Sequence, residues 1–305
     1  MRLIMRTRIL ALFLCVALLF SGCAKAPENP VTPPFLKVTD TDSGGVVYML
    51  GTMHVGKPNT VYPQAVYDAL GECGTLAVEV DLIALDRDKQ RMASAMQILE
   101  CGERSTREML GADYEKIRRF FEQKRLYNAA YERYIPAVWS STLTSKLAAE
   151  CGLKSELGTD RALLSYAKNN ALPIHELETV EEQYMLNAGE SEALQVYMLS
   201  SSVDTDWETQ KQQTLALYDA WSGGDLAELE RMLTEEPPPA ELAEDYADFY
   251  YAMYENRQRR MADYIVTELK NGKKTYVAVG ALHLAAPPDI LDLLEAEGYQ
   301  VENLV

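Results

Sequence analysis

Two copies of a four-residue pattern carry the residues best suited to chemistry in this chain. Gly51-Thr52-Met53-His54 directly follows one apolar run, and Gly280-Ala281-Leu282-His283 follows another near the end of the sequence. A glycine lets the chain turn sharply at a strand end, which places the histidine just beyond the strand. Two of the three histidines in the sequence share this context. The repetition predicts that His54 and His283 belong to one site.

Glu79 adds a carboxylate to this pair. It stands near the end of the apolar run Thr75–Val80, where a buried carboxylate is costly unless it is paired, protonated or bound to a metal. Two imidazoles and one carboxylate, with room for water, make up a typical catalytic divalent-metal site. We therefore predict that His54, His283 and Glu79 hold a divalent metal ion. An ion pair between Glu79 and an arginine is the alternative.

The runs around these residues predict strands and helices in the order of two βαβ units. The first unit has strands over Val46–Leu50 and Thr75–Val80, with a helix from Pro63 to Leu70 between them. The second unit has a strand over Thr275–Val279, then a helix and a last strand over residues 288–297 and 299–301. Parallel strands end at one edge of a sheet, and ligands bind at that edge.

Between the two units the spacing of apolar residues is mostly helical. This holds from Leu85 to Leu233, with one candidate strand over Ala171–His175, and a long amphipathic helix follows from Leu242 to Leu269. The predicted fold class is therefore α/β, with a parallel or mixed central sheet built from N- and C-terminal βαβ units and a long helical insertion in the middle. His175 lacks the preceding glycine, and we predict that it is a surface or core histidine.

The first 22 residues are predicted to be a lipoprotein signal peptide. Arg2, Arg6 and Arg8 precede the apolar run Ile9–Phe20, which is shorter than the ~20 residues that span a bilayer. Small residues then precede Cys23, the predicted lipidation site. These features predict a protein anchored by lipid to the cell membrane, on its extracytoplasmic face. An uncleaved N-terminal anchor is the alternative.

The predicted organisation has a lipidated cysteine and proline-rich tether over residues 23–34, followed by one domain over residues 35–305. Removal of the signal peptide with its three arginines changes the formal charge from −17 to −20. Nucleic-acid binding needs clustered Lys and Arg, so no nucleic-acid partner is expected. Cys73, Cys101 and Cys151 remain in the domain, and the sequence is compatible with one disulfide or with three thiols.

Several motifs together resemble one known family. They are Leu50–Gly56, Glu79, Leu157–Asp160, Leu177–Gln183, Arg257–Met261, Val279–Leu284 and Glu297–Tyr299. This set resembles the TraB/GumN family, which is related to the Tiki proteins, and the resemblance covers residues 34–305. The Arg-Asn pair typical of the family reads Arg257-Gln258 here, and Ala285-Ala286-Pro287 follows the second motif where the family tends to have a glycine.

The resemblance implies a metal-dependent, peptidase-like domain. Tiki members are described as divalent-metal proteases that use two Gly-x-x-His motifs and a glutamate, and these roles fall on His54, His283 and Glu79. In that scheme Glu79 acts as a ligand or as the general base. The resemblance also implies that Arg257 stabilises the oxyanion that develops at a scissile carbonyl.

Asp160 and Glu178 lie in motifs shared with the family, and we predict that they contribute to substrate binding. The sequence thus predicts a metal-dependent, peptidase-like hydrolase that acts outside the cytoplasmic membrane on a peptide or small-molecule ligand. Some bacterial members are linked to shutting off peptide pheromones, which needs binding but not necessarily cleavage. The alternatives are a non-catalytic surface protein that sequesters a peptide or metal ligand, and a purely structural lipoprotein.

Overall fold

The computed structural model of the chain describes residues 28–234 and 238–305. The predicted signal peptide over residues 1–22, the lipidation site Cys23 and the first part of the tether lie outside these residues. Within the described ranges, none of the helices combines the length and the apolar character needed to cross a bilayer.

One mixed sheet forms the centre of the fold. The strands of the described residues are β1 (Asn29–Pro30), β2 (Phe35–Thr39), β3 (Val46–Thr52), β4 (Thr60–Val61), β5 (Thr75–Val78), β6 (Ile174–Glu176), β7 (Lys274–Gly280) and β8 (Val301–Asn303). Six of them are arranged in the order β6-β5-β7-β3-β2-β8, and β1 pairs with β4. Neighbours from β6 to β3 are parallel, whereas β2 is antiparallel to β3 and to β8. The predicted α/β class is confirmed.

The two βαβ units interleave in this sheet. β7, from the C-terminal unit, lies between β3 and β5, which belong to the N-terminal unit. The strands that end near Leu50 and Val80 therefore flank the strand that ends near Val279, and all three are parallel, as predicted. β8 lies at the far edge, beyond β2.

Helices make up most of the remaining chain. They are α1 (Gln64–Glu72), α2 (Leu82–Leu85), α3 (Lys89–Gln97), α4 (Thr106–Leu110), α5 (Tyr114–Gln123), α6 (Pro136–Glu150), α7 (Thr159–Asn169), α8 (Val180–Gly189), α9 (Glu192–Asp204), α10 (Trp207–Ser222), α11 (Leu226–Thr234), α12 (Ala243–Tyr250), α13 (Asn256–Lys270) and α14 (Ile290–Ala296). The π-helical segment Tyr251–Glu255 joins α12 to α13, so the long helix predicted over residues 242–269 is continuous from residue 243. Capping boxes at Ser105, Thr179 and Asp289 fix the starts of α4, α8 and α14.

Side chains of the central strands alternate between two apolar cores, one on each face of the sheet. One face presents Phe35, Leu50 and Tyr276 to α1 and α7. The other presents Met49 and Val277 to α13 and α14. Because both faces are covered, the central strands are almost continuously apolar, which is the pattern that made them predictable from sequence.

The helical insertion has a core of its own. α5, α6 and α9 enclose Phe121, Trp139 and Leu199, which are completely buried. This core, separate from the two on the faces of the sheet, stabilises the insertion next to the sheet edge. Cys73, Cys101 and Cys151 are free thiols, which settles the choice that the sequence left open.

Two features at the beginning of the described chain are not predicted by the sequence pattern. β2 is an additional strand that follows the proline-rich segment directly. Before it, β1 pairs with β4, and Val31, Pro33 and Pro34 are buried. The chain is thus packed against the domain from about Asn29, several residues before the predicted domain boundary.

Candidate functional site

The ends of β3, β7 and β5 bring both Gly-x-x-His motifs and Glu79 to one edge of the sheet. The strand register pairs Thr52 with Gly280 and Val78 with Ala278. Because neighbouring strands lie about 4.8 Å apart, the three strand ends span only about 10 Å.

Close packing explains the glycines of the two motifs. Neither Gly51 nor Gly280 has a positive φ, so the expected sharp turn is not the reason for them. A Cβ on Gly51 would lie 3.1 Å from the Cβ of Ala281, which belongs to the other motif. A Cβ on Gly280 would lie 3.3 Å from Oε1 of Glu79 and 3.9 Å from the ring of His283. The two motifs therefore pack against each other.

His54 is an exposed imidazole held by a buried carboxylate. Its Nδ1 lies 2.9 Å from Oδ2 of Asp160, whose Oδ1 accepts a hydrogen bond from the Thr52 hydroxyl at 2.8 Å. The side chain of His54 is 66% exposed, whereas that of Asp160 is 8% exposed. The charge of Asp160 and its hydrogen bond raise the pKa of His54 to about 9, so this imidazole is protonated at neutral pH. The bond occupies Nδ1 and leaves Nε2 for other partners.

The start of α7 positions Asp160. A carboxylate in the first turn of a helix is stabilised by the helix dipole. The backbone N–H of Thr159 donates to the carbonyl oxygen of Met53 at 2.9 Å. A Cβ on Gly158 would lie 2.5 Å from the carbonyl oxygen of His54, so only glycine fits there. The contact between the segment Met53–His54 and the start of α7 at Gly158–Thr159 sets the orientation of the imidazole.

His283 is buried and neutral. It lies on a single helical turn after β7, is 4% exposed, and its Nε2 is 4.0 Å from Oε1 of Glu79. Burial lowers the pKa of His283 to about 4. Among the residues that the structure describes, none forms a hydrogen bond with its Nδ1. A buried nitrogen without a partner is rare, and it suits a position that binds a ligand or ion.

Glu79, Arg257 and Glu178 form a buried charge network, each at most 7% exposed. Nη2 of Arg257 donates to Oε2 of Glu79 and to Oε2 of Glu178, both at 2.7 Å, and Nε donates to Oε1 of Glu178 at 2.8 Å. Nη1 donates to the carbonyl oxygen of Met253 at 3.1 Å, in the π-helical segment before α13. Such π-helical segments often occur at functional sites.

Glu79 is ionised despite its burial. Burial opposes the charge, but His283, Arg257 and the hydrogen bond from the Gly280 N–H at 2.6 Å together lower the pKa of Glu79 to about 2. Because His283 is itself neutral above about pH 4, Arg257 supplies the compensating charge at neutral pH. The ion pair between Glu79 and an arginine, which the sequence left as an alternative, is present.

Gln183 is a site residue that the sequence reasoning misses. Its Nε2 donates to Oε2 of Glu79 at 3.0 Å and to Oε2 of Glu178 at 3.2 Å. The signal available in the sequence is its position directly after the capping box Thr179–Glu182, which places it in the first turns of α8. Gln183 thus joins the helical insertion to the carboxylates at the sheet edge.

Gln258 connects the two places where this sequence departs from the family pattern. It is completely buried, and its Nε2 donates to the carbonyl oxygens of Ala286 at 2.6 Å and Pro288 at 3.1 Å. The longer glutamine thus holds the segment that follows the second motif. The two departures are in direct contact with each other.

The six side chains that the sequence predicts for the site lie in two groups at this edge of the sheet. His54 bonds Asp160, whereas Glu79 contacts His283 and Arg257, and Arg257 also bonds Glu178. The carboxylates predicted to bind substrate are engaged by protein groups. Asp160 bonds Thr52 and His54, and Glu178 bonds Arg257 and Arg260. His175, in contrast, is exposed and stacks on Tyr264, with ring centroids 4.7 Å apart.

Each histidine at this edge has a feature that is typical of a metal ligand. An imidazole bonded to a carboxylate through one nitrogen, like His54 with Asp160, is the usual arrangement of a metal-ligating histidine. The Nε2 atom of His283 faces Oε1 of Glu79 at 4.0 Å, and its Nδ1 has no hydrogen-bond partner among the described residues. Oε1 of Glu79 accepts only the Gly280 N–H and retains a lone pair, whereas Oε2 is used by Arg257 and Gln183. No three His, Cys, Asp or Glu side chains of residues 28–234 and 238–305 form a ready-made metal-binding group.

A groove of about 460 Å³ opens at His54. One wall is α6, which presents small side chains such as Ala137 and Ser141, and the opposite wall is the turn between α8 and α9. Phe249 and Met253, from α12 and the π-helical segment, also line it. The groove provides space for a ligand beside the sheet edge.

The comparisons with known proteins give one result. A family model described as TraB/PrgY/gumN matches residues 34–303, nearly all of the described chain. No curated protein and no solved structure matches the chain.

Proposed function

This chain belongs to the TraB/PrgY/gumN family, and from that premise we propose that it is a metal-dependent hydrolase acting on a peptide or small substrate outside the cytoplasmic membrane. The observation that carries the proposal is the pairing of two unlike histidines at one sheet edge. His54 is exposed, charged and oriented by Asp160, while His283 is buried, neutral and has an unpartnered nitrogen. Opposed environments of this kind are typical of groups that share a reaction.

In the proposed site, His54, His283 and Oε1 of Glu79 hold a divalent ion. When bound, the ion supplies Lewis-acid polarisation of a substrate carbonyl. Asp160 fixes the ring of His54 so that Nε2 is the available nitrogen. Burial of His283 keeps its imidazole neutral, which is the form that can ligate.

The low pKa of Glu79 favours a ligand role over a general-base role. General bases work best with a pKa near the working pH, and a carboxylate of pKa about 2 is a weak base at neutral pH. We assign Arg257 a positioning role, because Glu79, Glu178 and Met253 accept five hydrogen bonds from its guanidinium group.

A second candidate is a binding protein that sequesters a peptide or metal ligand without turnover. The observation that favours it is the enclosure of Glu79, whose two oxygens already accept hydrogen bonds from Arg257, Gln183 and Gly280. In this candidate, Glu79 holds no ion and keeps the fold and the groove in place. Both candidates use the same groove, so turnover is the property that separates them.

The extracytoplasmic, lipid-anchored location is also part of the proposal, and it rests on Cys23 and the residues before it. Replacement Cys23→Ala is expected to release the protein from membranes or leave an uncleaved signal peptide. Mass spectrometry of the mature N-terminus checks this, and an unlipidated N-terminus elsewhere contradicts it.

The experiment that tests the function measures hydrolysis of a synthetic peptide library with and without a chelator. The proposal predicts cleavage that chelation abolishes and that falls, in His54→Gln and in His283→Gln, to the level measured with the chelator. His175→Gln is the matched control, because that histidine lies on the exposed surface. Binding of peptides without cleavage in any condition leaves only the second candidate.

A further inference from the structure

Glu190 is a carboxylate in the wall of the groove that contains His54, and no ion pair joins it to any residue in the described ranges 28–234 and 238–305. It lies in the turn between α8 and α9 and lines two adjoining grooves, of about 460 Å³ and about 220 Å³. Its Oε1 is buried and has no hydrogen-bond partner in the part of the chain that the structure describes. Burial raises the pKa of Glu190 to about 7, with no contribution from a neighbouring charge.

The backbone of Glu190 is held firmly. Nε2 of the buried Gln195 donates to the carbonyl oxygens of Glu190 at 3.0 Å and Asn187 at 3.2 Å. Oε1 of Gln195 accepts from the backbone N–H of Ala137 at 3.3 Å, at the start of α6. One glutamine thus ties the turn to the opposite wall. The carboxylate is therefore held at the groove rather than carried on a loose loop.

Apolar side chains surround this carboxylate. Met185, Met198, Phe249 and Met253 line the two grooves that meet at Glu190. Met185 is 60% exposed and Met198 is 39% exposed. Exposed apolar patches mark interaction sites, and methionine adapts its shape to different apolar ligands.

The α6 wall leaves room for the backbone of a ligand. The hydroxyls of Ser141, Thr144 and Ser145 donate to the carbonyl oxygens four residues earlier in the helix. These hydroxyls lie along the helix, and their free lone pairs can accept hydrogen bonds from a ligand. The α6 wall is therefore weakly polar, and the smaller groove adds two further carboxylates, Asp245 and Asp248, on the far side of Glu190.

We propose that this groove binds an apolar ligand through a cationic amine that pairs with Glu190, which places the adjoining part of the ligand beside His54. A buried carboxylate with no partner is costly, and an ammonium group supplies both the missing charge and the missing hydrogen bonds. The choice of a peptide rests on the proposed function, whereas the choice of an amine rests on Glu190. The amine is the free N-terminus of a peptide or the side chain of a lysine.

The test is affinity selection by the full chain from a synthetic library of apolar heptapeptides, with chelator present so that no cleavage is required. Three forms are compared: free N-terminus, acetylated N-terminus, and acetylated N-terminus with one internal lysine. We expect selection of an amine-bearing form over the acetylated one by about tenfold or more. The form that is selected identifies the source of the amine.

Glu190→Gln keeps the size of the side chain, removes its charge, and is expected to abolish the preference. Glu192→Gln is the matched control, because it removes one charge two residues away at an exposed pair with Arg104. Ser141→Leu places a larger side chain at an exposed position on the α6 wall of the groove. It is expected to abolish selection of every peptide form. Equal retention of all three forms by the wild type, absence of any retained peptide, or an unchanged preference in folded Glu190→Gln overturns the inference. Loss of hydrolysis alone leaves it standing and contradicts only the proposed function.

Discussion

His54 and His283 hold the same place in two copies of one motif, on neighbouring strands of one sheet, and their environments are opposite. The side chain of His54 is 66% exposed and that of His283 is 5% exposed. The pKa of the first is raised to about 9 by Asp160, and that of the second is lowered to about 4 by burial. The two motifs share their Gly-x-x-His pattern, but the backbone bends at His54 and forms a 3₁₀ turn at His283, and different parts of the chain pack around each.

That packing divides the site into two parts. The first turn of α7 supplies one carboxylate to His54 and leaves its ring open to the groove. α13 and α8 supply Arg257 and Gln183, which enclose Glu79 next to His283. A repeated motif can therefore provide one exposed, charged imidazole, His54, and one buried, neutral imidazole, His283. Three changes to the protein test this division, in order of decreasing effect.

The largest effect is expected from Arg257→Ala, which removes the charge that encloses the His283 side of the site. Glu79 and Glu178 would then be buried without their common partner, so the free energy of unfolding should fall by about 3–5 kcal/mol. Urea denaturation measures this. Arg259→Ala is the control, because that side chain is 54% exposed and its loss should change stability by only about 0.5 kcal/mol. Equal stability of the two variants would show that the network does not support the fold.

The next effect concerns the acid side of the stability profile. The pKa of His283 is lowered from 6.5 to about 4, so its contribution is fully present above pH 6.5 and is lost as the pH falls toward 4. This loss is on the order of 3 kcal/mol. His283→Gln should remove it, so the decline in stability between pH 6.5 and pH 4.5 becomes shallower than in the wild type.

The comparison is made with chelator present, by urea denaturation at each pH. Burial raises the pKa of Glu190 to about 7 and that of Asp289 to about 6, and these groups act with the opposite sign. Their contributions cancel because both proteins contain them. Parallel profiles for wild type and variant in this window would mean that His283 titrates normally.

The smallest effect is expected on the exposed side of the site. Asp160→Asn removes the charge that holds a proton on His54, so the pKa of His54 should fall from about 9 toward 6.5 in an NMR titration. In the wild type, the pair of protonated His54 and Asp160 contributes to the free energy of unfolding below pH 6.5, and this contribution is lost as the pH rises through 9. Because His54 is largely exposed, that contribution should stay below about 1 kcal/mol.

Asp263→Asn is the control for this titration, because it removes the same charge at an exposed position on α13. It should leave the titration of His54 unchanged. If His54 titrates with the same pKa in Asp160→Asn and in the wild type, Asp160 does not raise the pKa of His54.

Much of the sheet could be predicted because strands buried on both faces have a recognisable apolar run. Val46–Leu50 and Thr275–Val279 are such runs, and the strands lie where the pattern places them. β2 is harder to recognise because it is short and follows a segment rich in proline. The position of β7 between β3 and β5 depends on contacts across the whole chain, which no local pattern contains.

The candidate site shows the same division between local and long-range information. His54, Glu79 and His283 follow from their positions at strand ends, and Arg257 follows from the resemblance. The sequence does not indicate that Asp160 bonds His54, because the two residues are joined only by the contact between two loops. Nor does the sequence indicate which histidine is buried, because the shared Gly-x-x-His pattern carries no information about the helices that cover each histidine.

The most direct test of the proposed function is calorimetric titration of Mn²⁺ and Zn²⁺ into the wild type, His54→Gln and His283→Gln at neutral pH. If both motifs hold one ion, the wild type binds one equivalent and each single variant loses it. Because His54 is protonated before binding, about one proton should be released per ion, measured as a dependence of the heat on the buffer. A wild type that binds neither ion, or single variants that each retain the wild-type affinity, would contradict a metal site shared by the two motifs.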